Sequence, residues 1–412
     1  MAKDLREIDV HFTTTPDESF QVGTLVQQGH RLFFEYNSQW INRGLELSPF
    51  TLPLRPGLYE HTNREFGPLF GLFDDSLPDG WGLLLMDRYF RKIGFDPVTI
   101  SPLERLVYLG EQTMGALTYH PPRDRSIAEP TLFDLHKLAK HSQEIFAGDP
   151  TDVLPQLLRA GGGPGGARPK VLIGYNPATS EIISGEDNLP DGFEHWIVKF
   201  SAREEARDAG PVEYAYSLMA REAGIEMPET HLFKTDQGDC FFATKRFDRE
   251  TGNHRHHIHT FGNLIEADFR LPNCDYADLL KVTGILTKNH EEVIRVFRLM
   301  VFNVLAHNRD DHVKNFSFIL DDASGGWMLA PAYDLVFTSG PGGEHTTTIA
   351  GEGRNPLKRH LFQLADQFDI NQRLANKIFD EVSLAISKWR MCAISTGVTP
   401  RTCDQIARQI NP

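Results

Sequence analysis

His307–Phe316 reads HNRDDHVKNF, and the fold turns on what flanks it. Before it, Glu291–Ala306 carries Val293, Val296, Phe297, Met300, Val301, Val304 and Leu305 on one broad face, the pattern of a helix buried along one side. After it, Phe316–Leu320 and Trp327–Leu329 have the composition of a hairpin. That hairpin turns the chain back, so Asp334 of PAYDL, 24 residues beyond Asp310, is expected beside Asn315. A charged loop on rigid supports is where reactive groups are held.

Asp310 and Asn315 are five apart, with Arg309 directly before the aspartate. Protein kinases space the Asp and Asn of their catalytic loop in this way. One carboxylate orients an attacking hydroxyl and accepts its proton, and an amide oxygen a few residues on reaches a metal ion. Asp310 and Arg309 are therefore candidate catalytic residues. Asn315 and Asp334 are candidate Mg²⁺ ligands, because Mg²⁺ keeps several waters and needs few protein oxygens. Alone, such a loop is more often a helix cap or a solvated turn; the joint pattern of helix, RDxxxxN, hairpin and returning Asp favours the metal site. His312, inside the loop, is placed to bond Asp310 or a phosphate, or to fix the loop.

Upstream, Gly161–Lys170 reads GGGPGGARPK. Gly161, Gly163 and Gly166 fit GxGxxG, but no strand precedes them and Pro169 leads into a strand, which excludes a Rossmann loop. Ala167-Arg168 after Gly166 excludes a Walker A loop. What remains is a glycine-rich loop whose N–H groups (Gly163, Gly165, Gly166, Ala167) can lie over phosphates, with Arg168 and Lys170 adding charge; the alternative is a flexible linker. Lys199, in the strand-like HWIVKF, is a candidate phosphate ligand, and Glu213 on the following helix is placed to hold it. Lys245-Arg246-Phe247-Asp248 is then the crossover between lobes, with Lys245 and Phe247 where backbone groups meet an adenine edge.

The chain has 412 residues, enough for two or three packed units. Strand-like runs at Phe20–Gln27 and Arg31–Tyr36 flank Gln28-Gly29-His30, and a helix is expected over Gly80–Lys92 after the turn in FDDSLPDGWG. A linker is expected near 121–130, then a helix capped by Thr131 and running to Phe146. Strands are expected at Val171–Tyr175, His195–Phe200 and Cys240–Phe247, with a helix over Pro211–Ala223. Further helices are expected over Asn371–Met391 and from Pro400, the latter with Thr399 as its cap. The order, β-rich, then a small sheet with one helix, then helical, is α+β, with units at 1–125, 126–246 and 247–412. HRHHIH (His254–His259) matches no zinc spacing and reads as a polar hairpin loop. Cys240, Cys274, Cys392 and Cys403 are scattered and read as free thiols of a reducing, cytoplasmic compartment. No apolar run is long enough to span a bilayer, and a formal net charge of −14 argues against direct nucleic-acid binding.

GGARPK (Gly165–Lys170), RFDR (Arg246–Arg249), RDDHVKNFS followed by AYD, and the N-terminal SLPDGWG together resemble the HipA family, in the branch whose loop reads GGSPGGARPK. The resemblance covers nearly the whole chain. It implies a protein-kinase-like bilobal fold, with a β-rich N-terminal subdomain, a small lobe and an all-helical C-terminal lobe. It implies an ATP- and Mg²⁺-dependent serine/threonine kinase with Asp310 as base, Asn315 and Asp334 on the metal, Lys199 on the phosphates and Gly163–Lys170 as the nucleotide loop. It also implies a toxin that phosphorylates a translation factor such as an aminoacyl-tRNA synthetase. Such a toxin is neutralised by a helix-turn-helix, HipB-like antitoxin that alone brings it to DNA. The chain departs from the family at the loop serine that some relatives autophosphorylate: that position falls near Gly163, and no Ser or Thr lies between Gly161 and Lys170. Nor does it begin with the helix-turn-helix segment of some relatives. Two other readings are a nucleotide-binding regulator without transfer activity, and a metal-dependent nuclease or phosphohydrolase using Asp310, Asp311, His312 and Asp334.

Overall fold

Alternating apolar residues build the first sheet. In β1 (Leu5–Thr15), Ile8, Val10 and Phe12 all point inward, the period-2 pattern of a half-buried strand. β2 (Glu18–Gln28), β3 (Arg31–Tyr36), β4 (Leu58–Glu60) and β5 (Leu117–His120) complete an antiparallel sheet of order β4-β3-β2-β1-β5. Gly29 turns the β2–β3 hairpin at φ 59°, a value that L side chains rarely adopt. α1 (Ser38–Arg43), α2 (Gly71–Asp74), α3 (Gly80–Lys92) and α4 (Pro102–Leu109) lie between these strands. The structure is a computed structural model describing residues 5–121, 133–148, 157, 165–185, 188–201 and 207–410. Residues 122–130 of the expected linker, its Thr131 cap and loop residues 161–164, Gly163 among them, lie outside the described residues.

α5 (Leu135–Phe146) is capped by Asp134, whose carboxylate accepts the Lys137 N–H at 3.2 Å. The second sheet runs β7-β6-β8-β10-β9, built from β6 (Lys170–Asn176), β7 (Glu181–Ser184), β8 (Glu194–Lys199), β9 (Thr230–Lys234) and β10 (Cys240–Lys245). Its inner face packs Val171, Ile173, Trp196 and Val198 against Leu135 and Leu138 of α5 and Trp81 and Leu85 of α3. α6 (Ala209–Glu222) connects β8 to β9. It sends Val212, Ala215, Tyr216 and Met219 into the large core shared with the helices downstream. α3 and α6 thus each spend an apolar face on a neighbouring layer, which fixes the sheets relative to the helices.

The third sheet is β11 (His257–Thr260), β12 (Ser317–Leu320) and β13 (Trp327–Leu329). β11 corrects the reading of HRHHIH as a polar loop. His257 and His259 face one way at period 2 and are buried. His257 Nε2–H donates to the Leu47 carbonyl at 3.3 Å. His259 lies between Asp75, at 2.5 Å from Nδ1, and Ser48, at 3.1 Å from Nε2. Their partners come from the first 75 residues, which a local pattern cannot show.

α7 (Phe261–Leu264), α8 (Tyr276–Thr287), α9 (His290–Leu305), α10 (Lys358–Gln367), α11 (Gln372–Ser387), α12 (Trp389–Thr396) and α13 (Pro400–Ala407) form the helical part. The single helix expected over Asn371–Met391 is two. Lys388 separates them, and Trp389 turns inward to donate its indole N–H to the Cys403 carbonyl at 3.0 Å. Thr399 does precede α13, but its hydroxyl bonds Asp208 rather than capping that helix. No helix among the described residues is long and apolar enough to cross a membrane.

Candidate functional site

α9 carries the 307–316 loop. Asn289 caps its start by accepting the Glu291 N–H at 3.1 Å, and Glu291 and Glu292 complement its N-terminal dipole. At its end, His307 adopts φ 52° and stacks on Phe337, with ring centroids 6.5 Å apart and planes 7° off parallel. Asp311 is fully buried and anchors the loop. Its carboxylate accepts from Tyr276 Oη at 2.9 Å, His345 Nδ1 at 2.9 Å and the N–H groups of Thr346 (2.9 Å) and Thr347 (3.3 Å). Its neighbour Asp310 lines the cleft instead. The Asn315 Nδ2–H donates to the Asp310 carbonyl at 2.6 Å, so the amide oxygen is the part left to take another ligand. His312 caps the short turn 313–315, its Nδ1 accepting the Lys314 N–H at 3.3 Å, and its ring meets Phe269 at 5.5 Å.

Arg309 sits apart from these groups. Its side chain donates to the carbonyls of Gly343 and, at 3.3 Å, Arg354, and it is not among the described residues lining the cleft. It ties the loop to the segment beyond Asp334.

β12 and β13 return the chain as the spacing predicts. Tyr333 Oη–H donates to the Lys314 carbonyl at 2.7 Å, and Asp334 follows at φ 55°, an uncommon conformation for a residue with a side chain. Its carboxylate is ion-paired with the Lys199 ammonium, which Glu213 on α6 also binds. Burial pushes the Asp334 carboxyl up, but Lys199 and Lys170 outweigh it and hold it below the carboxylate range. Burial likewise lowers the Lys199 ammonium, but Asp334 and then Glu213 leave it raised. Lys170 is lowered by burial and donates to the Gly165 carbonyl at 2.5 Å. Arg168 lies 3.9 Å from Glu213.

Asp310, His312, Asn315, Asp334, Lys199, Lys170, Arg168, Ala167 and Gly166 all line one cleft of ≈ 1150 Å³. Gly165, Lys245 and Phe247 line an adjoining cavity of ≈ 190 Å³ that shares Lys170, Lys199, Asn315 and Asp334. There Phe247 stacks on Tyr333 at 5.7 Å, and Lys245 pairs with Glu194 at 2.5 Å. Behind this crossover, buried Asp248 takes both arms of Arg246 (2.9 and 2.7 Å), Arg249 (2.8 Å) and the Gly115 N–H (2.8 Å). RFDR is thus the joint between the crossover and the first sheet. The sequence reading missed Lys314, whose ammonium lies 3.0 Å from Asp74 and 5.0 Å from the Phe269 ring, and Asp79 at the glycine loop. Asp74 and Asp79 both lie in FDDSLPDGWG, too distant in sequence from Lys314 and Gly166 for any spacing rule.

The family model of the HipA-like C-terminal domain matches residues 162–389, and that of the HipA N-terminal domain matches residues 18–120. The chain belongs to the HipA family. A protein of Sinorhizobium fredii (strain NBRC 101917 / NGR234) named "Putative kinase Y4dM" is 32% identical over 339 residues, 77% of this chain and 75% of that one. A Haemophilus influenzae (strain ATCC 51907 / DSM 11121 / KW20 / Rd) protein named "Putative kinase" is 28% identical over 182 residues, 41% of this chain and 52% of its own. The HipA chain of the Shewanella oneidensis MR-1 toxin–antitoxin system, solved with HipB and its operator DNA, superposes with a TM-score of 0.71. That match covers 97% of this chain and 94% of the other at 17% identity, a likeness of fold. The architecture is therefore the HipA form of the kinase-like, two-lobed α+β fold.

Proposed function

We propose that this HipA-family chain is an ATP- and Mg²⁺-dependent serine/threonine protein kinase, the cytoplasmic toxin of a toxin–antitoxin pair. The observation that carries the reading is Lys199 held between Glu213 and Asp334 in a cleft that Asp310 and Asn315 also line. Kinases pair a phosphate-binding lysine with a helix glutamate and set a metal-binding aspartate in the same site. The units are assigned as 1–125, 126–246 and 247–412.

The residues fit the groups they would hold. Among the described residues no three His, Cys, Asp or Glu side chains gather as a free-standing metal centre. One carboxylate (Asp334) and one amide oxygen (Asn315) suit a hard cation that completes its shell with phosphate oxygens and water. Lys170 and Lys199 supply positive charge for a triphosphate, and the 165–167 backbone lies beside them. When bound, Mg²⁺ neutralises charge on the phosphates. Asp310 orients the acceptor hydroxyl and takes its proton, while His312 and Asp311 hold the loop. Catalysis on this reading is positioning and electrostatics. Phe247 and Tyr333 offer an aromatic wall, and Lys245 and its neighbours the edge contacts, for a base.

A phosphohydrolase built on Asp311 is disfavoured, because four donors already saturate that buried carboxylate. The acceptor is proposed to be a translation protein such as an aminoacyl-tRNA synthetase, and the partner a HipB-like helix-turn-helix antitoxin through which alone the chain reaches DNA. The test is transfer of radiolabel from γ-labelled ATP to cellular protein, wild type against Asp310→Ala. Transfer is expected to vanish in the variant while nucleotide binding persists. Transfer that survives would remove Asp310 from the mechanism, and binding without transfer by wild type would make the chain a nucleotide-dependent regulator.

A further inference from the structure

Asp79 holds the N-cap position of α3, yet its carboxylate makes no capping bond to that helix. It accepts the backbone N–H of Gly166 instead, 87 residues away in sequence. The contact is shaped from both sides. Gly80, at φ 42°, lets the turn press on the loop: a Cβ there would stand 2.6 Å from Ala167 Cα. A Cβ on Gly165 would stand 3.1 Å from Asp79 Oδ1. Beside it, the Trp81 N–H donates to the Gly166 carbonyl at 3.0 Å, and the indole N–H donates to the Lys170 carbonyl at 3.0 Å. The other end of the same segment is anchored on the opposite lobe. Asp74 accepts from Lys314 Nζ at 3.0 Å and Asn263 Nδ2 at 3.1 Å, and Asp75 from the Thr260 N–H at 2.8 Å. Residues 74–81 therefore strap the glycine loop to the helical lobe.

A glycine-loop N–H is the kind of donor that a phosphate oxygen takes. Asp79 lines both cavities, as do Gly166 and Lys170, so its contact with Gly166 lies at the cleft. Two anions cannot share that N–H, and their charges repel.

We propose that Asp79 is a latch: in the nucleotide-free protein its carboxylate takes the place of a phosphate on Gly166, and an entering nucleotide must displace it. This rests on the nucleotide reading of the cleft. The released carboxylate has a second partner at hand, since its N-cap position faces the first-turn N–H groups of α3. A site that is open only part of the time binds with its affinity reduced by that fraction, so a latch closed about 90% of the time weakens binding by about tenfold.

The test is calorimetric titration of the full chain with a non-hydrolysable ATP analogue and Mg²⁺, comparing wild type, Asp79→Ala and the isosteric Asp79→Asn. Removing the acceptor is expected to tighten binding by about tenfold, and removing only its charge by less. Thermal melting checks folding, and Asp79→Asn carries the test if Asp79→Ala is unfolded. Wild-type binding with unchanged or weaker binding by the folded variants would overturn the latch and make Asp79 a brace. No binding by wild type or by either folded variant would overturn the nucleotide reading and the latch together, a distinct result.

Discussion

Lys199 and Asp334 form an ion pair across 135 residues of sequence, and Glu213 closes the set from a third element. The lysine is nearly buried, so its charge is compensated by two carboxylates rather than by water. Losing a charge-assisted bond at such a site costs about 1.5–3 kcal/mol, or roughly ten- to a hundredfold in a rate or affinity. Lys199→Ala is expected to lose at least this much in kcat/KM for ATP. Glu213→Gln is expected to lose less, because Asp334 still binds the ammonium. Steady-state phosphotransfer measures both, and a larger loss for Glu213→Gln would reverse the assignment of Asp334 as the main partner.

Asp311 faces two pairs of donors, so an asparagine would turn its amide nitrogen toward one pair. Asp311→Ala is expected to destabilise the protein by about 3–5 kcal/mol, the cost of breaking a buried charged network. Urea unfolding measures it. A change under 1 kcal/mol would show that water replaces the carboxylate and that the loop stands without it.

Gly166 sits at φ 99°, and a Cβ there would run onto the Lys170 ammonium. Gly166→Ala therefore meets both backbone strain and a clash, about 1–3 kcal/mol for the strain alone. Nucleotide affinity is expected to fall by about tenfold or more, with a small drop in melting temperature from the same strain. Equal affinity would place the phosphates elsewhere.

His257 is buried, and burial first, then His259, lowers its pKa from 6.5 to about 3. Its folded form stays neutral where its unfolded form takes up a proton. Stability from this group is thus fully present above pH 6.5 and drains away as pH falls toward 3, by at most about 5 kcal/mol. His257→Gln, which keeps a donor for Leu47, is expected to flatten the pH dependence of unfolding between pH 6.5 and 4. An unchanged slope would assign the acid sensitivity to other groups.

The sequence foretold elements whose signal is local. The 16-residue α9, the α3 helix, the β12–β13 hairpin and the strands around Lys199 all follow from apolar period and turn residues. It failed where a polar residue is buried by a distant partner: His257 and His259 read as loop because Leu47, Ser48 and Asp75 are not neighbours in the chain.

By itself, then, the sequence determined most of the elements, their α+β order and the types of side chain offered for chemistry, because helix and strand periods are written within windows of a few turns. Only the tertiary structure decided which of those side chains meet. Arg309 and Asp310 are adjacent, yet one ties down a loop and the other lines the cleft. Asp79, read as part of a turn, reaches the glycine loop. Such meetings depend on how α3, α6 and α9 pack their apolar faces, and burial then gives each polar contact its strength; neither distance nor dielectric is encoded at any single position.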